Sequence, residues 1–151
     1  MPNKARAGHQ YPPYFYEVSR TKIEEYAAAT GYLLPTSDDP DIPLVAPRMF
    51  AACFTVMRGA AVLRQDVELA GSGAIVHAGQ EFDFGRRVAS GERLRCTPTI
   101  TEIVDRGAHA YLTLSIECLA AQSGEHLVTS RQSIAYLGAA AATAPSRGSA
   151  S

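Results

Sequence analysis

The sequence predicts an α+β domain in which an antiparallel sheet wraps one long, largely buried helix. Three observations carry this reading. After Gly73 the apolar residues recur at every second position through several segments, and a single apolar stretch of helical length precedes them. The alternating segments are broken at Ser90-Gly91, Arg106-Gly107 and Ser123-Gly124, as hairpin turns would break them.

In chain order, residues 1–10 are polar and basic, and residues 139–151 form an Ala/Ser/Thr-rich run with Pro145 and Gly148. Both are too poor in large apolar groups to offset the entropy of ordering them, so both are expected to be unstructured, leaving one domain over residues 11–138. A first helix is expected near Ser19 or Thr21, because Thr21 and Glu24 fit a capping box and Ile23, Tyr26, Ala27 and Thr30 follow at helical spacing. Gly31 is its expected stop. Pro35, Pro40, Pro43 and Pro47, with Asp38, Asp39 and Asp41 among them, leave only a loop before the second helix. That helix is expected from Arg48 to about Ala70, with Gly71 and Gly73 ending it. Met49, Phe50, Cys53, Phe54, Val56 and Met57 cover nearly every face of its first half, so it should be enclosed by other protein.

The strands follow by alternation. Phe82 and Phe84 flank Asp83; Leu94, Cys96, Pro98 and Ile100 face away from Arg93, Arg95, Thr97 and Thr99. Ala110, Leu112, Leu114, Ile116 and Cys118 form the next apolar row, and a last strand, about Leu127 to Leu137, carries Val128, Ile134 and Tyr136. Gly85, on a strand, marks a bulge or a close approach by backbone or ligand.

Composition excludes several functions. With 14 basic and 15 acidic residues in 151 and no long run of like charge, the chain lacks the footprint of a nucleic-acid or anionic-membrane binder. No segment approaches the ~18 unbroken apolar residues of a membrane span, and the start has no apolar leader core, so a cytoplasmic protein is expected. Cys53, Cys96 and Cys118 are an odd, widely spaced set inside apolar segments, which suits reduced buried thiols. No histidine stands near another ligand at metal spacing and no GxSxG, Walker or GxGxxG signature occurs, so neither a metal nor a cofactor is expected.

Tyr11-Pro12-Pro13, Glu17-Val18 with Ile23 and Tyr26-Ala27, Ala46-Pro47, His77 with Gln80-Glu81-Phe82, and Gly91-Glu92-Arg93-Leu94 resemble the N-terminal domain of MaoC-like dehydratases. The resemblance spans about Tyr11 to Leu137 and implies a hot-dog fold. It includes the mycobacterial-type (3R)-hydroxyacyl thioester dehydratases, two-subunit assemblies in which one subunit carries the catalytic pair and the other shapes the acyl channel. This chain resembles the second kind. Catalytic subunits carry an Asp in the loop before the central helix and a His five positions on. Here the residues five beyond Asp38, Asp39 and Asp41 are Pro43, Leu44 and Ala46, and no histidine occurs between His9 and His77. Two further stretches depart from relatives: His77-Ala78-Gly79-Gln80 where a His-Gly-Glu-Gln run is common, and Phe84-Gly85-Arg86-Arg87 where an aromatic-His-Arg-Pro stretch is.

The resemblance implies water moved reversibly across the α,β-bond of an acyl thioester on CoA or a carrier protein, in a homo- or heterodimer with a catalytic MaoC-like subunit. Within this chain the candidate catalytic residues are His77, an imidazole beside the end of the central helix, and Glu81, the carboxylate to raise its basicity. An interfacial structural histidine and a water-facing glutamate explain them equally. The candidate substrate-binding residues are Arg48 for the phosphate or pantetheine end, Gln80 for a thioester or hydroxyl oxygen, and Phe50 and Phe54 for an acyl slot. Arg86, Arg87, Arg93 and Arg95 are the one local basic concentration, with Arg93 and Arg95 expected on a solvated face. Two other readings stay open: a stand-alone homodimeric thioesterase or lyase using His77 and Glu81, and a non-catalytic protein that binds acyl thioesters.

Overall fold

The computed structural model describes residues 2–35, 39, 41–69 and 74–138. Two helices, α1 (Arg20–Thr30) and α2 (Ala51–Gln65), accompany five strands, β1 (Tyr14–Glu17), β2 (Ile75–Phe84), β3 (Arg93–Arg106), β4 (His109–Ala120) and β5 (His126–Tyr136). The strands form one antiparallel sheet in the order β1-β3-β4-β5-β2. The α+β arrangement is the one expected.

Alternation decides which side of the sheet is covered. Leu94, Cys96 and Ile100 on β3, Ala110, Leu112, Leu114, Ile116 and Cys118 on β4, and Val128, Ile134 and Tyr136 on β5 are buried, and α2 lies across that face. All three cysteines are free thiols, as expected, with Cys96 and Cys118 buried and directly opposite one another. Gly91, Gly107 and Gly124 take the left-handed φ values of 88°, 63° and 73° that their turns require. The last two close β3–β4 and β4–β5. Gly91 does not close a hairpin, because β2 pairs with β5 rather than β3, so the 85–92 segment crosses from one side of the sheet to the other.

The ends of the helices differ from expectation in instructive ways. Ser19, not Thr21, caps α1, its hydroxyl accepting from the Lys22 amide at 3.1 Å, while Gly31 ends it at φ 71° as expected. Pro47 is followed by a 3₁₀ turn, Arg48–Phe50, before α2 proper, and α2 ends at Gln65 rather than near Ala70. Asp66 stops it: its carboxylate accepts from the Glu68 amide at 3.0 Å, offering the backbone an alternative to the next helical turn, and Val67–Leu69 form a 3₁₀ turn. The expected stops Gly71 and Gly73 lie outside the described residues.

Residues 4–10, expected to be unstructured, are ordered against β3. Lys4–Arg6 form a 3₁₀ turn, the Gly8 amide donates to Ile100 O at 2.7 Å, the Ile100 amide to His9 O at 2.9 Å, and Gln10 bridges Thr99. Backbone pairing supplies the order that apolar burial does not. The expected tail, residues 139–151, lies outside the described residues.

Asp66 also anchors this segment. Its Oδ2 accepts from the Arg6 guanidinium and from the Tyr11 hydroxyl, each at 2.5 Å. Burial alone would raise the Asp66 carboxyl, but the hydrogen bonds from Tyr11 and Arg6 outweigh it and hold the group below its ordinary 3.8. Burial, and then the bond to Asp66, push Tyr11 up to about 12. A carboxyl whose folded value lies below its unfolded one contributes stability above the unfolded value and loses it as pH falls through the folded one. Calorimetric melting should therefore weaken more steeply between about pH 5 and 3 in the wild type than in Asp66→Asn; equal slopes would contradict the assignment.

The expected close approach at Gly85 is one of backbone to backbone. Its amide donates to Leu127 O at 2.9 Å, and a Cβ there would lie 2.3 Å from His126 O. Gly85→Ala should cost about 1–3 kcal/mol in urea denaturation; an unchanged midpoint would show that the two strands separate freely.

Candidate functional site

The seam between α2 and β2 holds the expected candidates, and one irregularity decides how they face. In register, His77 stands opposite Ile134 and Gly79 opposite Ser133, so Ala78 is an extra residue, a bulge. His77 and Gln80 (opposite Gln132) thereby share the helix-facing side, while Glu81, opposite the exposed Arg131, faces away. Without the bulge, the spacing of four would put His77 and Glu81 together. The expected imidazole–carboxylate pair is thus not assembled within this chain.

His77 lies where expected, beside the C-terminal end of α2. It lines a cavity of about 440 Å³ with Leu63, Arg64, Asp66, Ile134 and Tyr136. Its Nε2 is 2.9 Å from Gly79 O, so the ring spans its own bulge, and Nε2 carries the proton in this contact. The one carboxylate lining that cavity, Asp66, is committed to Arg6 and Tyr11.

Gln80 joins a polar row that the sequence reading missed. Its Nε2 donates to Ser130 Oγ at 2.8 Å and to Glu81 O at 3.1 Å, while Gln132 Nε2 donates to Thr55 O on α2 at 3.1 Å. Ser130 and Gln132 are almost fully buried. The signal for them was present, since they alternate with Val128 and Ile134 on the inner face. Gly59 lets α2 approach this row: a Cβ there would sit 2.6 Å from Gln132 Nε2. Gln80 Oε1 is buried and accepts no hydrogen bond from the described residues.

At the other end of the seam Arg48, Phe54, Phe84 and Val128 line a narrow slit of about 10 Å³, room for about one water. Phe50 and Phe54 are both 0% exposed. Phe50 packs edge-on to Tyr26 at 5.6 Å and does not line the slit, whereas Phe54 does. Arg48 is exposed, its guanidinium 5.5 Å from the Phe84 ring centre. No histidine lines this end. Asp39 and Asp41 are exposed turn formers, the Asp41 amide donating to Asp39 Oδ1 at 2.9 Å; Asp38 lies outside the described residues.

Of the four clustered arginines, Arg93 and Arg95 are exposed as expected, with Arg93 over the Phe15 ring. Arg86 is bound to Glu92 at 2.7 Å and Glu125 at 2.8 Å, and these bonds raise its pKa. It ties the 85–92 crossing to the β4–β5 turn. Among the described residues no cluster of His, Cys, Asp or Glu is arranged to hold a metal, and no helix is long and apolar enough to cross a membrane.

The described residues cover α2 on one side only, so the enclosure expected for it is not complete within them. Met49, in the turn before α2, and Met57 are 50% and 68% exposed, and β2, ten residues long with Ile75 and Val76 exposed, is a sheet edge unpaired on its outer side among the described residues. An apolar helix side next to a long open edge is a surface that a second polypeptide would cover.

Comparison with known proteins agrees with this geometry. The family described as "FAS1-like, dehydratase domain region" matches residues 5–130. A UPF0336 protein of Thermobifida fusca (strain YX) is 35% identical over 137 residues, spanning 85% of this chain and 89% of that protein. A chain of the C-terminally truncated HadBC (3R-hydroxyacyl-ACP dehydratase) complex of Mycobacterium tuberculosis superposes with a TM-score of 0.70 at 22% identity, over 86% of this chain and 96% of that one. A chain of the ChsH1-ChsH2 complex of the same organism gives 0.64 at 14% identity, over 89% and 91%. These two structures, each of a complex, establish the fold. With its model matching residues 5–130, this chain belongs to the FAS1-like dehydratase family, and it has a hot-dog fold.

Proposed function

We propose that this chain is the substrate-shaping subunit of a (3R)-hydroxyacyl-thioester dehydratase, or enoyl-thioester hydratase, whose acid–base residues come from a second hot-dog polypeptide. One observation carries the reading: the entry to α2, where the family's Asp and His stand, has no histidine within this chain, while the α2–β2 side is left open. Moving water across the α,β-bond needs a group of near-neutral pKa at the β-hydroxyl, and a proton acceptor for the α-carbon that the thioester has acidified. A partner with an Asp and, five positions on, a His brings both. This chain then contributes the apolar wall of α2, the Gln80 acceptor, and Arg48 toward the acyl carrier, with the thioester carbonyl held by helix-terminal amides. CoA and carrier-protein thioesters are both substrates of the class proposed.

Stand-alone catalysis by His77 and Glu81 is disfavoured, because the Ala78 bulge turns the two side chains to opposite faces. The test is turnover of an enoyl thioester by the purified chain alone, by a hot-dog protein carrying the Asp and His, and by the two together. Hydration is expected at full rate only in the mixture; equal rates by this chain alone would overturn the proposal.

A further inference from the structure

We infer that Arg48 and Arg87 together form a binding site for the phosphate ester of a pantetheine arm, an inference that rests on the proposed thioester reaction only for the identity of the arm. An open groove of about 550 Å³ is lined by Tyr26, Tyr32, Pro47, Arg48, Met49 and Arg87. The two guanidinium groups come from different segments, one entering α2 and the other on the 85–92 crossing, and are brought to one groove by pairing of the chain before α2 with that crossing. The Ala46 amide donates to Val88 O at 2.9 Å, and Val45 bridges Ala89.

Among the described residues neither Arg48 nor Arg87 has a carboxylate within 4.0 Å, whereas the adjacent Arg86 is saturated by Glu92 and Glu125. Arg86 is therefore the clamp that fixes the crossing, and Arg87 the cation it presents. Arg87 Nη2 donates to the Tyr32 hydroxyl at 3.1 Å, and Arg48 rests over Phe84. Each contact orients a guanidinium while leaving most of its N–H donors unused. Like charges lining one concave surface are relieved by an anion bound there, and a tetrahedral phosphate has oxygens enough to accept from more than one guanidinium fork.

The groove is also continuous with the seam. Pro47, Arg48 and Arg87 line both the groove and the slit that Phe54 and Phe84 floor. Because the slit admits about one water, a bound arm does not thread the chain; it runs from the arginines past Met49, exposed in the 3₁₀ turn before α2 and part of the same groove, toward the surface that a partner subunit covers.

The test is isothermal titration of the full chain with 4′-phosphopantetheine and with pantetheine. The phosphate should strengthen binding at least about tenfold, and Arg48→Ala and Arg87→Ala should each remove most of that gain, with Arg131→Ala, on the opposite sheet face, as the control that leaves it within about twofold. Circular dichroism melts check that each variant is folded. Equal affinity for the two ligands, no binding of either, or loss in Arg131→Ala as large as in Arg87→Ala would overturn the site. CoA, 3′-dephospho-CoA and a phosphopantetheinylated carrier protein separate the sources: the one whose affinity falls in Arg87→Ala delivers the arm. A requirement for the 3′-phosphate would overturn the assignment to the arm. Dehydration by the mixed subunits without this binding sinks the site alone; this binding without dehydration sinks the reaction alone.

Discussion

Phe50→Ala should lower the folding stability of the isolated chain by about 3–5 kcal/mol, the range for deleting a buried aromatic ring. Phe50 is 0% exposed, touches Tyr26 of α1 edge-on and Phe54 of α2 at 6.1 Å between ring centres, and so joins the two helices. With a total stability of about 5–15 kcal/mol to draw on, the variant should be near its unfolding threshold at 37 °C. Met57→Ala is the contrast on the same helix: at 68% exposure it should change the stability of the isolated chain by no more than about 0.5 kcal/mol while weakening association with a partner. Urea denaturation of both variants checks the pair. A stable Phe50→Ala protein that has lost affinity for long-chain thioesters would return Phe50 to the role of channel wall.

That role was the sequence's own suggestion, and the burial of Phe50 shows where sequence reasoning stops, since apolar spacing does not tell a core residue from a channel wall. The burial of β3, β4 and β5 was legible because one face of each strand is covered, and period two then forces every second residue to be apolar. The left-handed turns were legible because glycine tolerates them best. Which strands the turns join was not: Ser90-Gly91 has the composition of a hairpin, but β2 finds its partner on the far edge of the sheet, a long-range pairing that no local signal encodes. The fate of Glu81 turned on a single extra residue. Ala78 carries no bulge signature of its own, and a shift of one residue sends every later side chain of β2 to the other face.

The polar residues were hardest to place. Asp66 reads in sequence as one more charge on a helix, and only the fold brings Arg6 and Tyr11 to it across more than fifty residues. Gln132 and Ser130 drew no reading from the sequence, though their alternation with Val128 and Ile134 put them inside. The absence of a histidine before α2, by contrast, was visible from the start. The fold adds what the sequence could not: the same helix whose entry lacks that histidine is covered on one side only by the described residues, so the missing chemistry and the open surface occur on one element.

The account stands on the claim that the imidazole moving the proton belongs to another polypeptide. Its most direct test is hydration of an enoyl thioester, followed as loss of the conjugated enoyl absorbance, by the complex of this chain with a hot-dog subunit carrying the Asp and His. Replacing the partner's loop histidine with alanine should lower kcat by about 10²–10⁴, the contribution of a positioned general acid–base, whereas His77→Ala in this chain should change kcat by less than about threefold. His77 spans a bulge and lines a cavity whose one carboxylate is already committed, so its loss removes no proton carrier. The reverse pattern, with His77→Ala abolishing turnover and the partner's histidine dispensable, would contradict the account.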